Sequence, residues 1–468
     1  DYYDAYFNLG VTFFLLGEVS KAIELLEFAA KATNNLKYIE DLAHYIYYDV
    51  KKSNADYKAV AELFYKEYKK QHFPVIYEFS KELYKADKNK LRLGFYNSEQ
   101  LNTPTWEMLS EVFPFFDKNQ FEIFCYVRPS LNNEAYSDLP SIRRVKSMVT
   151  WKNFFAQDLK TVINEIRKDS LDVLFDLCGY LPSIYGYNQA IPNISIFIHK
   201  LAPVQITFYG FWGTTGIPQI DYLITSKEAV PKSEEQNFTE KIYSLPSGLL
   251  HASFDQENYP KPTNDASYKK NGFITFTSFS RISKLNLDLI KTWAEILKRV
   301  PDSKFLYKYA FPATKYICNR IKNEFMGFGI EESRIIFDTR SQSRYDFIQV
   351  YNEVDIALDP FPFTGITTTM NALTMGVPVI ALIDGTRIVT SGSATLLKAA
   401  QLEELAANSK EEYVQKAVDL AFDKNRIDTY KASLRAKLQT SDLTVECYAK
   451  ELQDAIRYIW QDVCKSKQ

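Results

Sequence analysis

A chain of 468 residues is too long for one hydrophobic core, so two to four domains are expected. With 46% hydrophobic residues, 24% charged residues and a net charge of −2, it reads as globular and lacks the basic footprint of a nucleic-acid binder. No apolar run reaches the roughly 20 residues that would span a bilayer. The five cysteines are scattered without a CxxC pair, and there are only four histidines. Neither a disulfide framework nor a zinc site is expected, and a reducing cytoplasm fits best. The chain opens on Asp1 rather than Met, which reads as a cut end.

Residues 1–86 read as helical, and Tyr6, Leu9, Gly10, Phe13, Gly17, Ala22, Leu26 and Ala29 follow the spacing of a tetratricopeptide repeat. Small residues fall where two helices must approach closely, and large ones fill the gap. The alternative is a plain helical hairpin belonging to the next domain. A repeat cannot bury its own face, so the end of a longer solenoid, with a protein- or peptide-binding surface, is the reading preferred here.

From Leu91 the period changes. Segments 91–96, 122–127, 171–177, 204–211 and 222–225 read as strands, with a helix over 157–168 and a loop Gly213-Thr214-Thr215-Gly216. Residues 182–198 show no clear element and read as a functional loop or insertion. Residues 246–269 are rich in Pro, Asn, Asp and Ser and read as a linker. The pattern then restarts, with strands over 274–278, 305–309 and 334–337 and helices over 286–299 and 345–352. The tail, 411–460, is helical, and its last helix is amphipathic and long enough to return to the first α/β region. The fold class is therefore α/β with a helical N-terminal region, in four segments: 1–86, 87–250, 251–440 and 441–468. Two Rossmann-like lobes bind ligands at the carboxyl ends of their strands.

The densest stretch is 355–398. A strand leads to a Pro-rich turn ending at Gly365, and Thr367, Thr368 and Thr369 then open a helix. The first N–H groups of such a helix have no internal partner, and neighbouring hydroxyls make a cradle for phosphate. Simple N-capping by threonine is the alternative. Lys284, in the loop after the strand 274–278, could converge on the same ligand.

Several blocks together resemble the O-linked N-acetylglucosamine transferase family, including its SPINDLY-like members. They are Leu91-Arg-Leu-Gly-Phe-Tyr-Asn-Ser-Glu99, Ala202-Pro-Val-Gln205, Gly210-Phe-Trp-Gly-Thr-Thr-Gly216, the lysine loop and helix over 279–301, and Leu358-Asp-Pro-Phe-Pro-Phe-Thr-Gly365 with the threonines. The resemblance spans residues 1–460 and implies a GT-B fold. It also implies transfer of N-acetylglucosamine or another hexose, with inversion, from a UDP donor to Ser or Thr of a protein or peptide.

By the same resemblance Lys284 contacts the pyrophosphate and serves catalysis, while Gly365, Thr367, Thr368, Thr369, Asn371, Arg281 and Arg344 surround the donor. Thr103, Gly213, Thr214 and Thr215 lie on the sugar and acceptor side. Neither cofactor nor metal is implied. Departures from the family pattern are Thr103 and Ile366 where histidines are usual, Ser280-Arg281 for Asn-Gln, and Asn371 for Asp. For Arg344 a solvent-exposed surface position is the competing reading. These departures keep two alternatives open: a degenerate transferase acting as a scaffold through its helices, and an enzyme that glucosylates Asn. High Tyr, Phe, Asn and Lys usage points to a low-GC bacterium.

Overall fold

The computed structural model describes residues 2–98, 103–128, 139–180, 192–227, 229–254, 259–309, 314–340, 343–383 and 385–467. Glu99 of the first-strand block, residues 182–191 of the element-free stretch and residues 255–258 of the linker lie outside the described residues. The chain forms two compact units. Unit 1 comprises Asp1–Phe14, Val19–Leu249 and Val445–Gln468, and unit 2 comprises Leu15–Glu18 and Leu250–Thr444.

In unit 1 the described residues form a seven-stranded sheet of β1 (Leu91–Asn97), β2 (Phe121–Val127), β3 (Thr150–Asn153), β4 (Val173–Asp176), β5 (Val204–Phe208), β6 (Tyr222–Ser226) and β7 (Lys241–Leu245). The order is β3-β2-β1-β4-β5-β6-β7 and every pairing is parallel. Central strands β4, β5 and β6 are buried at every position, which is why they read as apolar runs. β3 and β7, at the two ends of this order, escape sequence reading. Each is half exposed, so neither needs an apolar run or a clean alternation. Gly94, in the middle of β1, makes room for its neighbours. A Cβ there would lie 2.4 Å from Leu171 and 2.9 Å from Tyr126.

The helical region is built into the same unit. Gly10 lets the helix Tyr2–Leu15 (Gly10 lies in its unit-1 part) approach Val19–Thr33, since a Cβ there would meet Leu26 at 2.9 Å. Phe7 stacks on Tyr38 and Phe14 on Tyr45, with centroids 4.2 and 3.9 Å apart. Helix Asn54–His72 carries a full capping box from Ser53 and Asp56. The C-terminal helix Val445–Lys467 buries Tyr448, Leu452, Ile456, Ile459 and Trp460. Its Tyr448 hydroxyl donates to the Leu249 carbonyl (3.0 Å) and Trp460 Nε1 to the Lys85 carbonyl (2.9 Å).

In unit 2 the described residues give a six-stranded parallel sheet of β8 (Thr275–Ser278), β9 (Lys304–Lys308), β10 (Ile335–Asp338), β11 (Ile356–Leu358), β12 (Val379–Leu382) and β13 (Ala406–Ala407). The order is β10-β9-β8-β11-β12-β13, the doubly wound arrangement whose strand order reverses between β8 and β11. Open α/β sheets bind ligands at the carboxyl ends of the strands at that reversal.

Trp460 is fully buried, so Trp460→Ala should lower unit 1 stability by about 3–5 kcal/mol through lost contact and the cavity left behind. Denaturant unfolding followed by tyrosine fluorescence or circular dichroism would measure it.

Candidate functional site

The loops leaving β8 and β11 carry the site. After β11, Asp359 is 4% exposed and leads into the turn 360–365. Each polar group named in this turn has a fixed partner. The Tyr413 hydroxyl donates to the Asp359 carbonyl (2.9 Å) and in turn accepts from Trp293 Nε1 (3.1 Å). Asn286 Nδ2 donates to the Phe361 carbonyl (2.9 Å) while its Oδ1 caps the helix Leu287–Arg299. The Thr364 N–H reaches the Val389 carbonyl (3.0 Å), and the Gly365 N–H reaches Asp359 Oδ1 (2.9 Å). The Ser393 hydroxyl donates to the Gly365 carbonyl and lies 2.8 Å from Thr369 Oγ1. Thr369 Oγ1 also donates to Asp359 Oδ1 (3.2 Å). A Cβ on Gly365 would lie 2.5 Å from Thr368 Oγ1 and 2.6 Å from Asp359 Oδ1, so only glycine fits beneath these groups.

Helix Thr367–Thr374 starts directly from this turn. Its cap position is Ile366, which supplies no side-chain hydrogen bond. The capping reading of the threonines therefore does not describe this helix start. Thr367 and Thr368 stay partly exposed, with Thr368 Oγ1 over Gly365, and the helix opens without the usual oxygen on its first N–H groups.

Lys284 closes a short 3-10 turn, Ile282–Lys284, after β8. Its Nζ donates to the Thr364 carbonyl (2.6 Å) and sits 4.2 Å from the centre of the Phe363 ring. Among the described residues the other two ammonium donors have no protein partner. The side chain keeps some accessible surface, but its amine is enclosed. Burial pushes the amine down to about 7, against the attraction of Asp359 and with help from the Arg281 charge. Arg281 itself is exposed, one turn before Lys284. Burial likewise pushes the Asp359 carboxyl up.

Asn371 and Arg344 meet through a residue that sequence reading assigned to a linker. The Tyr259 hydroxyl donates to Asn371 Oδ1 (2.7 Å) and accepts from Arg344 Nη2 (3.0 Å). The exposed-surface reading of Arg344 does not hold, because the side chain is half-buried against the Tyr259 ring. Tyr259, Asp359, Phe363 and Ser393 were missed as site residues. Only the Leu358–Gly365 block hinted at any of them, and no local spacing reports a partner some 110 residues away.

The remaining sequence-predicted residues belong to unit 1. Thr103 precedes the helix Pro104–Val112 and its buried Oγ1 has no partner among the described residues. Gly213 lies against Tyr47, whose Oη would be 1.7 Å from a Cβ. Thr214 and Thr215 turn their hydroxyls inward to Glu240: Thr214 Oγ1 donates to Oε2 (2.8 Å) and the Thr215 N–H to Oε1 (2.7 Å). His199 is tied to the Val75 carbonyl through Nδ1 (2.8 Å) and faces the Tyr68 hydroxyl.

A half-buried lysine and an uncapped helix start thus lie together at the reversal point of a doubly wound sheet, where open α/β sheets hold ligands and where both groups suit an anion. The model of glycosyl transferase family 41 matches residues 49–258 and 262–452, and the chain belongs to that family. It is 32% identical over 323 residues to an Arabidopsis thaliana protein bearing the name "Probable UDP-N-acetylglucosamine–peptide N-acetylglucosaminyltransferase SPINDLY", covering 68% of this chain and 34% of that one. A tomato (Solanum lycopersicum) protein of the same name is 31% identical over 319 residues, or 67% of this chain and 33% of that one. The chain thus spans about a third of the length of the curated relatives it matches. A Thermobaculum terrenum O-GlcNAc transferase, in a mutant form, shares the fold at a TM-score of 0.84 with 22% identity, over 100% of this chain and 85% of that one. Anabaena HepE in complex with UDP shares it at 0.51 with 11% identity, over 78% of this chain and 99% of that one. Among the described residues no helix is long and apolar enough to cross a membrane.

Two substitutions test the geometry. Gly365→Ala should weaken any anion binding at this turn about tenfold, or about 1.4 kcal/mol, because the added methyl collides with Thr368 and Asp359. Tyr259→Phe should cost about 1–3 kcal/mol of stability by leaving Asn371 Oδ1 buried without its donor. Titration calorimetry and thermal melts read the two effects.

Proposed function

We propose that the chain transfers a sugar, N-acetylglucosamine first among candidates, from its UDP donor to a Ser or Thr hydroxyl of a protein or peptide. The observation that carries this reading is Lys284. Its amine is anchored on the Thr364 carbonyl at the entrance of an uncapped helix, with two N–H donors left for an anion. The plant relatives' names supply the donor and the peptide acceptor. The UDP held by HepE, whose fold is shared, supports the nucleotide. Lys284, Gly365, Thr367, Thr368 and Thr369 would hold the diphosphate. Asn371 and Arg344, joined through Tyr259, would flank the nucleoside. Arg281 would add positive charge at the rim. Thr103 and the 213–215 loop would serve the sugar and acceptor, the loop through backbone groups rather than its inward-turned threonine hydroxyls.

In the reaction the bond between the anomeric carbon and the diphosphate oxygen breaks, and its electron pair leaves with UDP. The acceptor hydroxyl oxygen forms the new bond to that carbon from the opposite face and gives up its proton to water or to an oxygen of the departing diphosphate. Negative charge grows on the departing diphosphate. An ammonium and a helix start fixed beforehand stabilise that charge more in the transition state than in the ground state. The five cysteines are all free, which suits a reducing cytoplasm.

Titration calorimetry with UDP should give saturable binding, tighter than with GDP, ADP or CDP, and absence of UDP binding would overturn the reading. Lys284→Ala should lower the turnover of donor by about 10²–10³ in kcat. Mass spectrometry of acceptor peptides distinguishes Ser or Thr from Asn as the modified residue.

A further inference from the structure

Asp359 is a buried carboxylate whose two oxygens have different surroundings. Oδ1 accepts the Gly365 N–H (2.9 Å) and the Thr369 hydroxyl (3.2 Å). Oδ2 is buried and makes no hydrogen bond among the described residues, although the nearby Ser393 hydroxyl helps hold the carboxyl in its charged form. A buried carboxylate left half-satisfied is costly unless a cation answers it. Three titratable groups face it: Lys284 from the turn after β8, Tyr413 from the helix Lys410–Phe422, and Tyr351 from the 3-10 turn Val350–Glu353, while Arg281, from the same turn as Lys284, acts on that amine. Arg281 is exposed, and the Tyr413 and Tyr351 hydroxyls donate to the Asp359 and Thr368 carbonyls. Lys284 is therefore the cation enclosed with the carboxylate, and it reaches the same turn through the Thr364 carbonyl.

We propose that Asp359 is the positioning residue of this site: it holds the Thr364–Gly365 turn in shape and is the nearby counter-charge that favours the cationic form of Lys284 until a nucleoside diphosphate takes over that role. The proposal rests on the sugar-nucleotide reading above. Its physical content is a charge exchange. Before binding, carboxylate and ammonium offset each other in a poorly solvated space. An incoming diphosphate favours the charged form of Lys284 and disfavours the charged form of Asp359, so both responses draw protons from solution. Burial moves the amine down and the carboxyl up, each to about 7. Affinity therefore falls as pH rises through that range. Both tyrosines are pushed well above 10 by burial and stay protonated throughout.

The test is proton uptake on binding UDP-N-acetylglucosamine without acceptor, a probe whose diphosphate diester does not titrate between pH 6 and 8.5. Calorimetry at pH 8 in buffers of different ionisation heat counts the protons. Wild type should take up between about one and two, and Asp359→Asn no more than about one, with its loss of affinity setting in at lower pH. Thr369→Val removes one bond to Oδ1 but no charge, so it should weaken binding with the wild-type proton count. Should Asp359→Asn fail to fold, Lys284→Arg gives the same answer. Its guanidinium does not titrate, so about one proton should remain, contributed by Asp359. Equal proton counts in wild type and Asp359→Asn, or none in Lys284→Arg, overturn the role given to Asp359 alone. No binding by wild type overturns the sugar-nucleotide reading along with it.

Discussion

The candidate site in unit 2 depends on one constraint: the turn from Asp359 to Gly365 must hold its shape while anchoring a lysine amine beside a helix start. Buried backbone groups left unpaired cost about 1–3 kcal/mol each, and in this turn they are met from five directions. Tyr413, Asn286, Lys284, Val389 and Ser393 each engage a different backbone group between Asp359 and Gly365. Several of these partners are themselves fixed, Tyr413 by Trp293 and Asn286 by its helix cap. The result is a rigid floor under a helix whose own first N–H groups lack a side-chain cap. Rigidity below and unmet hydrogen-bonding capacity above is the arrangement that electrostatic catalysis needs, because nothing has to reorganise as charge develops.

Much of the framework was legible from residue order. Apolar runs such as Val204–Phe208 and Tyr222–Ser226 announced central parallel strands, since strands buried on both faces carry little but apolar or small hydroxyl side chains. Lys284, Gly365 and the three threonines were legible because glycine, hydroxyls and a cation gathered just after strands have few purely structural uses. What stayed hidden has a common cause. Tyr259 sits in a stretch rich in turn residues, and its worth comes from Asn371 and Arg344, far away in sequence. Asp359 looked like the polar end of a strand until the fold folded Gly365 and Thr369 back over it. The edge strands Thr150–Asn153 and Lys241–Leu245 were missed because half-exposed strands tolerate mixed composition.

The unit 1 loop makes the complementary point. Thr214 and Thr215 have the residue types of a ligand-binding loop, yet both hydroxyls serve the buried Glu240. Burial pushes that carboxyl up, and three donors from the two threonines oppose the shift. A residue type that fits a chemical role does not by itself assign the role, because the same hydroxyl can satisfy a carboxylate beneath it.

The fit of Gly213 against Tyr47, and of Gly216 against Ala61, has a wider consequence. Tyr47 also meets Phe211 edge-on, and Tyr180 bonds both Ala61 and Thr215 through their carbonyls. The N-terminal helices are thus the back wall of the loop that follows β5, not a detachable adaptor. A fragment starting at β1 would leave Tyr180 and Phe211 open to water and the glycine loop without support. Evolution or engineering that exchanged these helices for a different module would have to carry Tyr47 and Ala61 across with it.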